Sequence, residues 1–157
     1  GRPQRRPTLA IFYALRHPTV MLGLTGITGG NIVNNRDWDA AYHKGLAEVG
    51  ENHGGIEFTA DPRVNPESNE SGRSYVTRPR LLREIADLDV PAVFINGGRD
   101  IRPNWPTQQL AALLPQGEYV AIAEAAHHIW LTHADRLRAE IRKAVRRIVG
   151  TNPVNAL

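Results

Sequence analysis

A chain of 157 residues is long enough for one domain with a buried core, and its 41% hydrophobic and 22% charged residues are ordinary for a globular protein. No apolar run approaches the roughly 20 residues that span a bilayer, and the lack of cysteine excludes disulfides and thiolate chemistry. We therefore expect a cytoplasmic protein with no membrane partner. The formal charge is +3, but the basic residues are not interleaved with aromatic residues, so we expect no nucleic-acid partner.

The first half of the sequence combines helical patterns with one strand candidate. Residues 8–17 have a helical pattern, and the apolar run at residues 19–25 is typical of a short buried strand. Residues 36–49 repeat apolar side chains at helical spacing and predict a second helix. Residues 50–79 are rich in Gly, Asn, Pro, Glu and Ser, which indicates a lid or loop that can contain one short helix. Residues 81–88 predict a short helix.

The second half of the sequence has a more regular pattern. Residues 90–96 form a continuous apolar run before Gly97-Gly98, as expected for a parallel strand that is buried on both faces. A helix is predicted at residues 105–114, a strand at 118–123 and an amphipathic helix at 135–149. This alternation of strands and helices predicts βαβ units, and therefore an α/β fold with a mostly parallel sheet.

Two polar residues follow the predicted strands, where reactive groups of open parallel sheets lie. Asp100 comes after the strand at 90–96, and His127 comes one helix and one strand later. A carboxylate there can orient an imidazole and fix its tautomer, as a catalytic base requires. The alternatives are that Asp100 is a turn residue and His127 an ordinary loop histidine, and that His128 or His133 is the base instead.

The residues around this pair resemble the last two functional segments of α/β-hydrolases. PAVFINGGRDIRP is similar to the family strand that ends in Gly-x-x-Asp, and AEAAHHIWLTHADRLRAEI is similar to the segment around its catalytic histidine. That histidine is followed by an aromatic residue about three positions on. Trp130 has this position relative to His127, so the resemblance selects His127 over His128. Ala126 departs from the family, which usually has glycine there.

The resemblance extends over residues 8–149. TGITGGNIVNNRDWDAAYHKG resembles the strand after the nucleophile and the first lid helix of proline-iminopeptidase-like members, and YALRHP resembles the end of the helix that follows the nucleophile. The resemblance implies the C-terminal part of an α/β-hydrolase fold, with a mostly parallel sheet flanked by helices and a helical lid insertion. It assigns residues 1–31 and 89–157 to the partial core and residues 32–88 to the lid.

By the same resemblance, the parent protein hydrolyses ester or amide bonds of a small molecule or short peptide, as esterases and aminopeptidases do. A serine attacks, His127 transfers the proton, and Asp100 orients the imidazole. No cofactor is implied, and the six histidines lack the spacing of a metal motif. Trp38, Tyr42 and Trp105 are candidates for the pocket lining, with core packing as the favoured alternative. A homo-oligomer is left open.

The family's nucleophile belongs to a Gly-x-Ser-x-Gly turn, and the family spacing places its serine at Gln4. Residues 2–6 read Arg-Pro-Gln-Arg-Arg, in which arginine cannot replace the turn glycines without steric cost and glutamine is not a nucleophile. We therefore expect a hydrolase fragment that lacks its nucleophile and is inactive alone. Codons CGG CCC CAG CGG CGG, read one base further on, encode Gly-Pro-Ser-Gly-Gly. A frameshift is thus one hypothesis, beside truncation and true divergence.

Two other functions are compatible with the sequence. A truncated or diverged hydrolase-fold protein without catalysis would need a partner, because its sheet would have an open edge. An epoxide-hydrolase-like member of the same fold would use an aspartate nucleophile. These alternatives leave the substrate undecided, since function does not follow from fold.

Overall fold

The computed structural model describes residues 6–29, 32, 36–51 and 61–150. Gln4, where the family spacing predicts the nucleophile, lies outside these residues. Within them the chain forms seven helices and three strands. In chain order these are α1 (Arg6–Arg16), β1 (Leu24–Ile27), α2 (Arg36–Glu48), α3 (Val64–Val76), α4 (Leu81–Ala86), β2 (Ala92–Gly97), α5 (Trp105–Leu113), β3 (Gly117–Ile122), α6 (Ile129–Thr132) and α7 (Ala134–Gly150).

The strands form one parallel sheet in the order β1-β2-β3. Leu24 pairs with Ala92, and Ala92 pairs on its other side with Gly117, so all three strands begin in register. Every residue of the central strand β2 is buried. This is the pattern expected for an apolar strand covered by helices on both faces, and it confirms the predicted α/β class.

The core has two apolar clusters, which follow from the alternation of side chains along β2. Ala92 and Phe94 lie in the first cluster, together with buried residues of α1, α4 and α5. Val93 and Ile95 lie in the second cluster, with residues of α6 and α7. Helices therefore cover both faces of the sheet, and the carboxyl ends of the strands remain at one edge where loops can assemble a site.

Some predicted boundaries were wrong. The strand predicted at residues 19–25 begins only at Leu24, and Val20 and Leu22 are 66% and 62% exposed. Pairing with β2 decides where β1 begins, and apolar composition alone does not. In the lid or loop predicted at residues 50–79, the helix that the sequence allowed is longer than expected: α3 has 13 residues, and its Tyr75 and Val76 pack against the first core cluster. Tertiary packing thus stabilises a helix whose sequence has a weak apolar period.

The proposed division into a core and a lid at residues 32–88 stays a prediction. At its C-terminal end, Leu81, Ile85 and Leu88 are buried in the same cluster as Ile11 of α1. Among the helices of the described residues, none has the length and apolar content needed to cross a membrane.

Candidate active site

The site is built at the carboxyl ends of β2 and β3, which are parallel neighbours. Gly98 and Arg99 form a turn after β2 and lead to Asp100. A turn and two residues without regular secondary structure after β3 lead to His127. The two loops therefore leave the same edge of the sheet side by side, as the sequence predicts.

Glycine at position 97 allows the two loops to approach closely. A Cβ atom at Gly97 would lie 2.3 Å from the carbonyl oxygen of Ala126 and 2.4 Å from that of Ala125. Just beyond Gly97, the backbone N–H of Arg99 donates to the carbonyl oxygen of Ala125 at 2.9 Å. The loop that carries the acid is thus hydrogen-bonded to the segment that precedes His127, and this contact has no room for a larger residue.

Two asparagines close the loop that contains Asp100. The side-chain amide of Asn104 donates to the carbonyl oxygen of Gly97 at 2.9 Å, and its Oδ1 accepts from Nδ2 of the buried Asn96 at 2.9 Å. These bonds join the end of β2 to the start of α5. The sequence analysis did not single out these residues. The sequence feature that could have indicated them is the presence of Asn96 before and Asn104 after the Gly-Gly-Arg-Asp turn.

Asp100 and His127 are in direct contact. Oδ2 of Asp100 lies 2.6 Å from Nδ1 of His127, and the two side chains are 2% and 4% exposed. Because a carboxylate only accepts hydrogen bonds, Nδ1 carries the proton in this contact. This tautomer leaves Nε2 as the basic nitrogen of the neutral ring, which is the arrangement that proton transfer by histidine requires.

The other oxygen of Asp100 is held by Arg102. Oδ1 accepts the backbone N–H of Arg102 at 2.9 Å and lies 3.4 Å from Nη1 of its guanidinium. Burial by itself raises the pKa of Asp100. The hydrogen bond from His127 and the charge of its protonated ring, together with the N–H and guanidinium of Arg102, outweigh burial and keep this pKa below its ordinary value. Asp100 is therefore an ionised carboxylate inside the protein at neutral pH.

The rival histidines have different surroundings. His128 is buried, and its ring meets those of His127 and Trp130 edge-on, at centroid distances of 5.1 Å and 5.2 Å. His133 lies beyond α6, with Nδ1 2.8 Å from the hydroxyl of Thr132. The described contacts thus pair Asp100 with His127. The catalytic roles of these two residues stay predictions.

The aromatic residues of α2 lie against the loop after Asp100. Tyr42 is buried and stacks with Trp38 at a centroid distance of 5.7 Å. Nε1 of Trp38 donates to the carbonyl oxygen of Pro103 at 3.3 Å, and the guanidinium of Arg102 lies 4.9 Å from the Tyr42 ring centroid. Trp105 begins α5 and is half-buried. Packing accounts for Trp38 and Tyr42, and a pocket-lining role for these aromatics stays a prediction.

No group of three His, Asp or Glu side chains in the described part of the chain is arranged to hold a metal ion. The chemistry that the site offers is that of its buried acid–imidazole pair. Such a pair can accept and return a proton, and it can stabilise the imidazolium that forms in between.

A parallel sheet covered by helices on both faces, with an acid and then a histidine after neighbouring strands, defines the class of protein. The chain has the α/β-hydrolase fold, of which it forms the C-terminal part. Among solved structures, it superposes on MGS-MChE2, an α/β-hydrolase enzyme from a metagenome of lagoon sediments of Mar Chica, Morocco. The TM-score is 0.58 with 13% identity, and the match covers 88% of this chain and 56% of that one.

Two further comparisons involve esterases. A carboxylesterase structure from Nitrososphaera gargenis gives a TM-score of 0.60 with 11% identity, over 92% of this chain and 62% of that one. In sequence, the chain is 32% identical over 97 residues to the pimeloyl-(acyl-carrier protein) methyl ester esterase of Xanthomonas oryzae pv. oryzae. That match covers 61% of this chain and 37% of the relative, so the chain matches well under half of the relative's length. No profile of a known protein family matches the sequence.

Proposed function

We propose that this chain supplies the acid Asp100 and the base His127 of an ester hydrolase that works by a Ser-His-Asp mechanism. The observation that carries the proposal is the buried 2.6 Å contact between Oδ2 of Asp100 and Nδ1 of His127. It has the atoms, the burial and the strand-end position that such an acid and base require.

In this mechanism, Nε2 of His127 takes the proton of a serine hydroxyl while the serine oxygen attacks the carbonyl carbon of the ester. The imidazolium that forms lies against the ionised Asp100, which stabilises it. The proton then passes to the departing alkoxide as the carbon–oxygen bond breaks and an acyl-enzyme forms. Water repeats the sequence, with His127 again as base, and releases the acid.

The relative from Xanthomonas oryzae supports an ester as the bond that is cleaved. That protein is by name a methyl ester esterase, and its similarity to this chain extends over 97 residues at 32% identity. The sequence alone left esters, amides and peptides open. We therefore place carboxylic esters of small molecules first among the candidate substrates.

The nucleophile needs a separate account. The 157 residues contain no Gly-x-Ser-x-Gly motif, and the serines of the chain, Ser68, Ser71 and Ser74, all belong to α3. A catalytic serine in this fold needs the sharp turn between a strand and a helix, and a helix interior does not provide one. The proposal therefore assigns the nucleophile to a segment that accompanies this chain in the active enzyme.

The test begins with the genomic DNA immediately upstream of codon 1. A segment that encodes Gly-x-Ser-x-Gly, in frame or one base out of frame, is joined to the chain, and hydrolysis of a short-chain p-nitrophenyl ester is measured. We expect turnover that His127→Ala lowers by about 10³-fold or more, because the base acts in both halves of the reaction. His133→Ala, the matched control, leaves the rate unchanged.

Three results would overturn the proposal. They are the absence of any upstream segment with this motif, ester turnover by the joined protein that His127→Ala leaves intact, and robust ester turnover by the 157 residues alone. The last result would show that the nucleophile lies within the chain.

A further inference from the structure

Helix α2 lies directly on the loop that follows Asp100. Besides the hydrogen bond from Trp38 to Pro103, the backbone of α2 meets the loop at Gly45, where a Cβ atom would lie 2.8 Å from Cβ of Ile101. Such a distance does not occur between real Cβ atoms, so glycine is what allows this approach. The helix is therefore in van der Waals contact with residues one to three positions after the candidate acid.

Arg102 connects this helix to Asp100. Its backbone N–H and its Nη1 face Oδ1 of Asp100, and its Nη2 forms an ion pair with Oε1 of Glu51, three residues after α2 ends. The guanidinium also lies over the ring of Tyr42. The side chains of Arg102 and Glu51 are only 11% and 14% exposed, so this ion pair is shielded from water and salt.

We propose that Arg102 is a positioning residue, which fixes the Asp100 carboxylate on His127 and is itself held in place by Glu51 and Tyr42 of the α2 segment. The inference rests on the proposed function only in calling the pair catalytic. It applies to the pair's geometry whether or not the chain hydrolyses esters.

The planar guanidinium explains why this position suits arginine. It presents several N–H groups in a fixed fork, so one side chain can contact the carboxylates of Asp100 and Glu51 while its face lies on an aromatic ring. With Oδ1 occupied by Arg102, Oδ2 is the oxygen directed at His127. A carboxylate with both oxygens engaged cannot rotate away from the imidazole without losing a buried hydrogen bond.

The charged and titratable groups around the pair give the inference a measurable consequence. Arg102 faces Asp100. Burial raises the pKa of Tyr119, and the nearby carboxylate of Asp100 raises it further. His128 lies against His127. Removing the cationic Arg102 favours the protonated form of Asp100, so the pKa of this carboxyl should rise.

The experiment is an NMR titration of the isotopically labelled 157-residue chain. In Arg102→Met we expect a higher pKa for Asp100 and, because the carboxylate is then less firmly placed, at least tenfold faster solvent exchange of the His127 Nδ1 proton. Arg99→Met removes an exposed charge from the same loop and is the matched control, which should leave the pKa of Asp100 and the exchange rate unchanged. Equal behaviour of the two variants would refute the inference.

A second variant covers the case in which Arg102→Met does not fold. Gly45→Ala changes no charge but forces α2 away from Ile101, so it should also speed exchange of the His127 Nδ1 proton. Gly150→Ala is the control, because nothing lies within 4 Å of a Cβ at Gly150. Unchanged exchange in Gly45→Ala would count against positioning by α2.

These readouts need no catalysis, so the two proposals fail separately. If the joined protein does not hydrolyse esters through His127 but the NMR effects are present, only the proposed function is overturned. Ester hydrolysis that depends on His127, without the NMR effects, overturns the positioning role alone.

Discussion

The carboxylate of Asp100 serves two structural roles at once. Its Oδ1 accepts the N–H two residues further on, which is the local bond that aspartate makes in turns, while Oδ2 meets His127. The interpretation of Asp100 as a turn residue and its interpretation as a partner of the histidine are therefore both correct, one for each oxygen. A residue so engaged is costly to replace even where no reaction takes place.

The lowered pKa of Asp100 predicts how stability depends on pH. Because the folded-state pKa lies below the unfolded value of about 3.9, ionised Asp100 stabilises the fold above that pH. The contribution is lost as the pH falls through the lower, folded-state pKa. In Asp100→Asn we expect the free energy of unfolding to be lower at neutral pH, with the gap to the wild type narrowing below about pH 4. Urea denaturation of both proteins at a series of pH values measures this difference in the free energy of unfolding.

Asp135→Asn is the control for this titration, because that side chain is 95% exposed. Its difference from the wild type in the free energy of unfolding should be small, because an exposed ion pair contributes little. A gap between the wild type and Asp100→Asn that stays constant from neutral to acid pH would contradict the assignment of a depressed pKa to Asp100.

Gly97 gives a second prediction at the residue scale. In Gly97→Ala the new methyl group would overlap the carbonyl oxygens of Ala125 and Ala126, which are backbone atoms and cannot turn aside. The loops must separate, so we expect a loss of about 1–3 kcal/mol of stability, as for other overpacked sites, and a weakened contact between Asp100 and His127. Thermal denaturation and the NMR signal of the His127 Nδ1 proton measure these effects. Gly150→Ala, in open space, should be nearly neutral.

Sequence reasoning singled out Asp100 and His127 because each lies in the loop after a strand whose apolar pattern is strong. It did not find Arg102, Glu51 or their ion pair. Glu51 and Arg102 are brought together by the packing of α2 on the loop, and no one-dimensional spacing reveals that contact. The ion pair beside Asp100 was therefore beyond prediction from the sequence. Asp100 itself was singled out, and its role as the acid stays a prediction.

At the scale of elements, prediction succeeded where one element's own pattern decides its structure. β2 is buried on both faces, as its continuous apolar sequence predicts. For β1, hydrogen bonding to β2 determines the first residue, so the apolar run before Leu24 was misleading. The helix α3 depends on contacts with a helix far away in sequence, and its own composition suggested a lid or loop with room for only a short helix.

One contact that ties α3 to the core is the stack of Tyr75 on Phe12 of α1, with ring centroids 4.3 Å apart and planes at 16°. A double-mutant cycle with Phe12→Leu and Tyr75→Leu should give a coupling energy of about 0.5–1.5 kcal/mol in denaturant unfolding, the range measured for aromatic pairs. The same cycle between Phe12 and the exposed Leu82 of α4, substituted by alanine, should give none. Additive effects of Phe12 and Tyr75 would show that α3 is stabilised by other contacts.

At the scale of the whole molecule, the sheet is small and its edges matter. Among the described residues, β1 pairs only with β2, and β3 pairs only with β2. Edge strands with unpaired N–H and C=O groups can pair with other chains. Val20 and Leu22, which lead into β1, are exposed by 66% and 62%, so apolar surface adjoins this edge. A sheet of this kind is expected to acquire a neighbour.

This arrangement predicts concentration-dependent self-association through the β1 edge. Leu22→Lys places a charge beside that edge, which opposes both strand pairing and apolar contact. This variant should be more monomeric than the wild type, as measured by sedimentation velocity over a range of concentrations. Val49→Lys is the matched control, since Val49 is also exposed, at 77%, but follows α2 rather than leading into β1. If both variants weaken association equally, general surface hydrophobicity drives it. If the wild type stays monomeric throughout, the β1 edge is not a site of self-pairing.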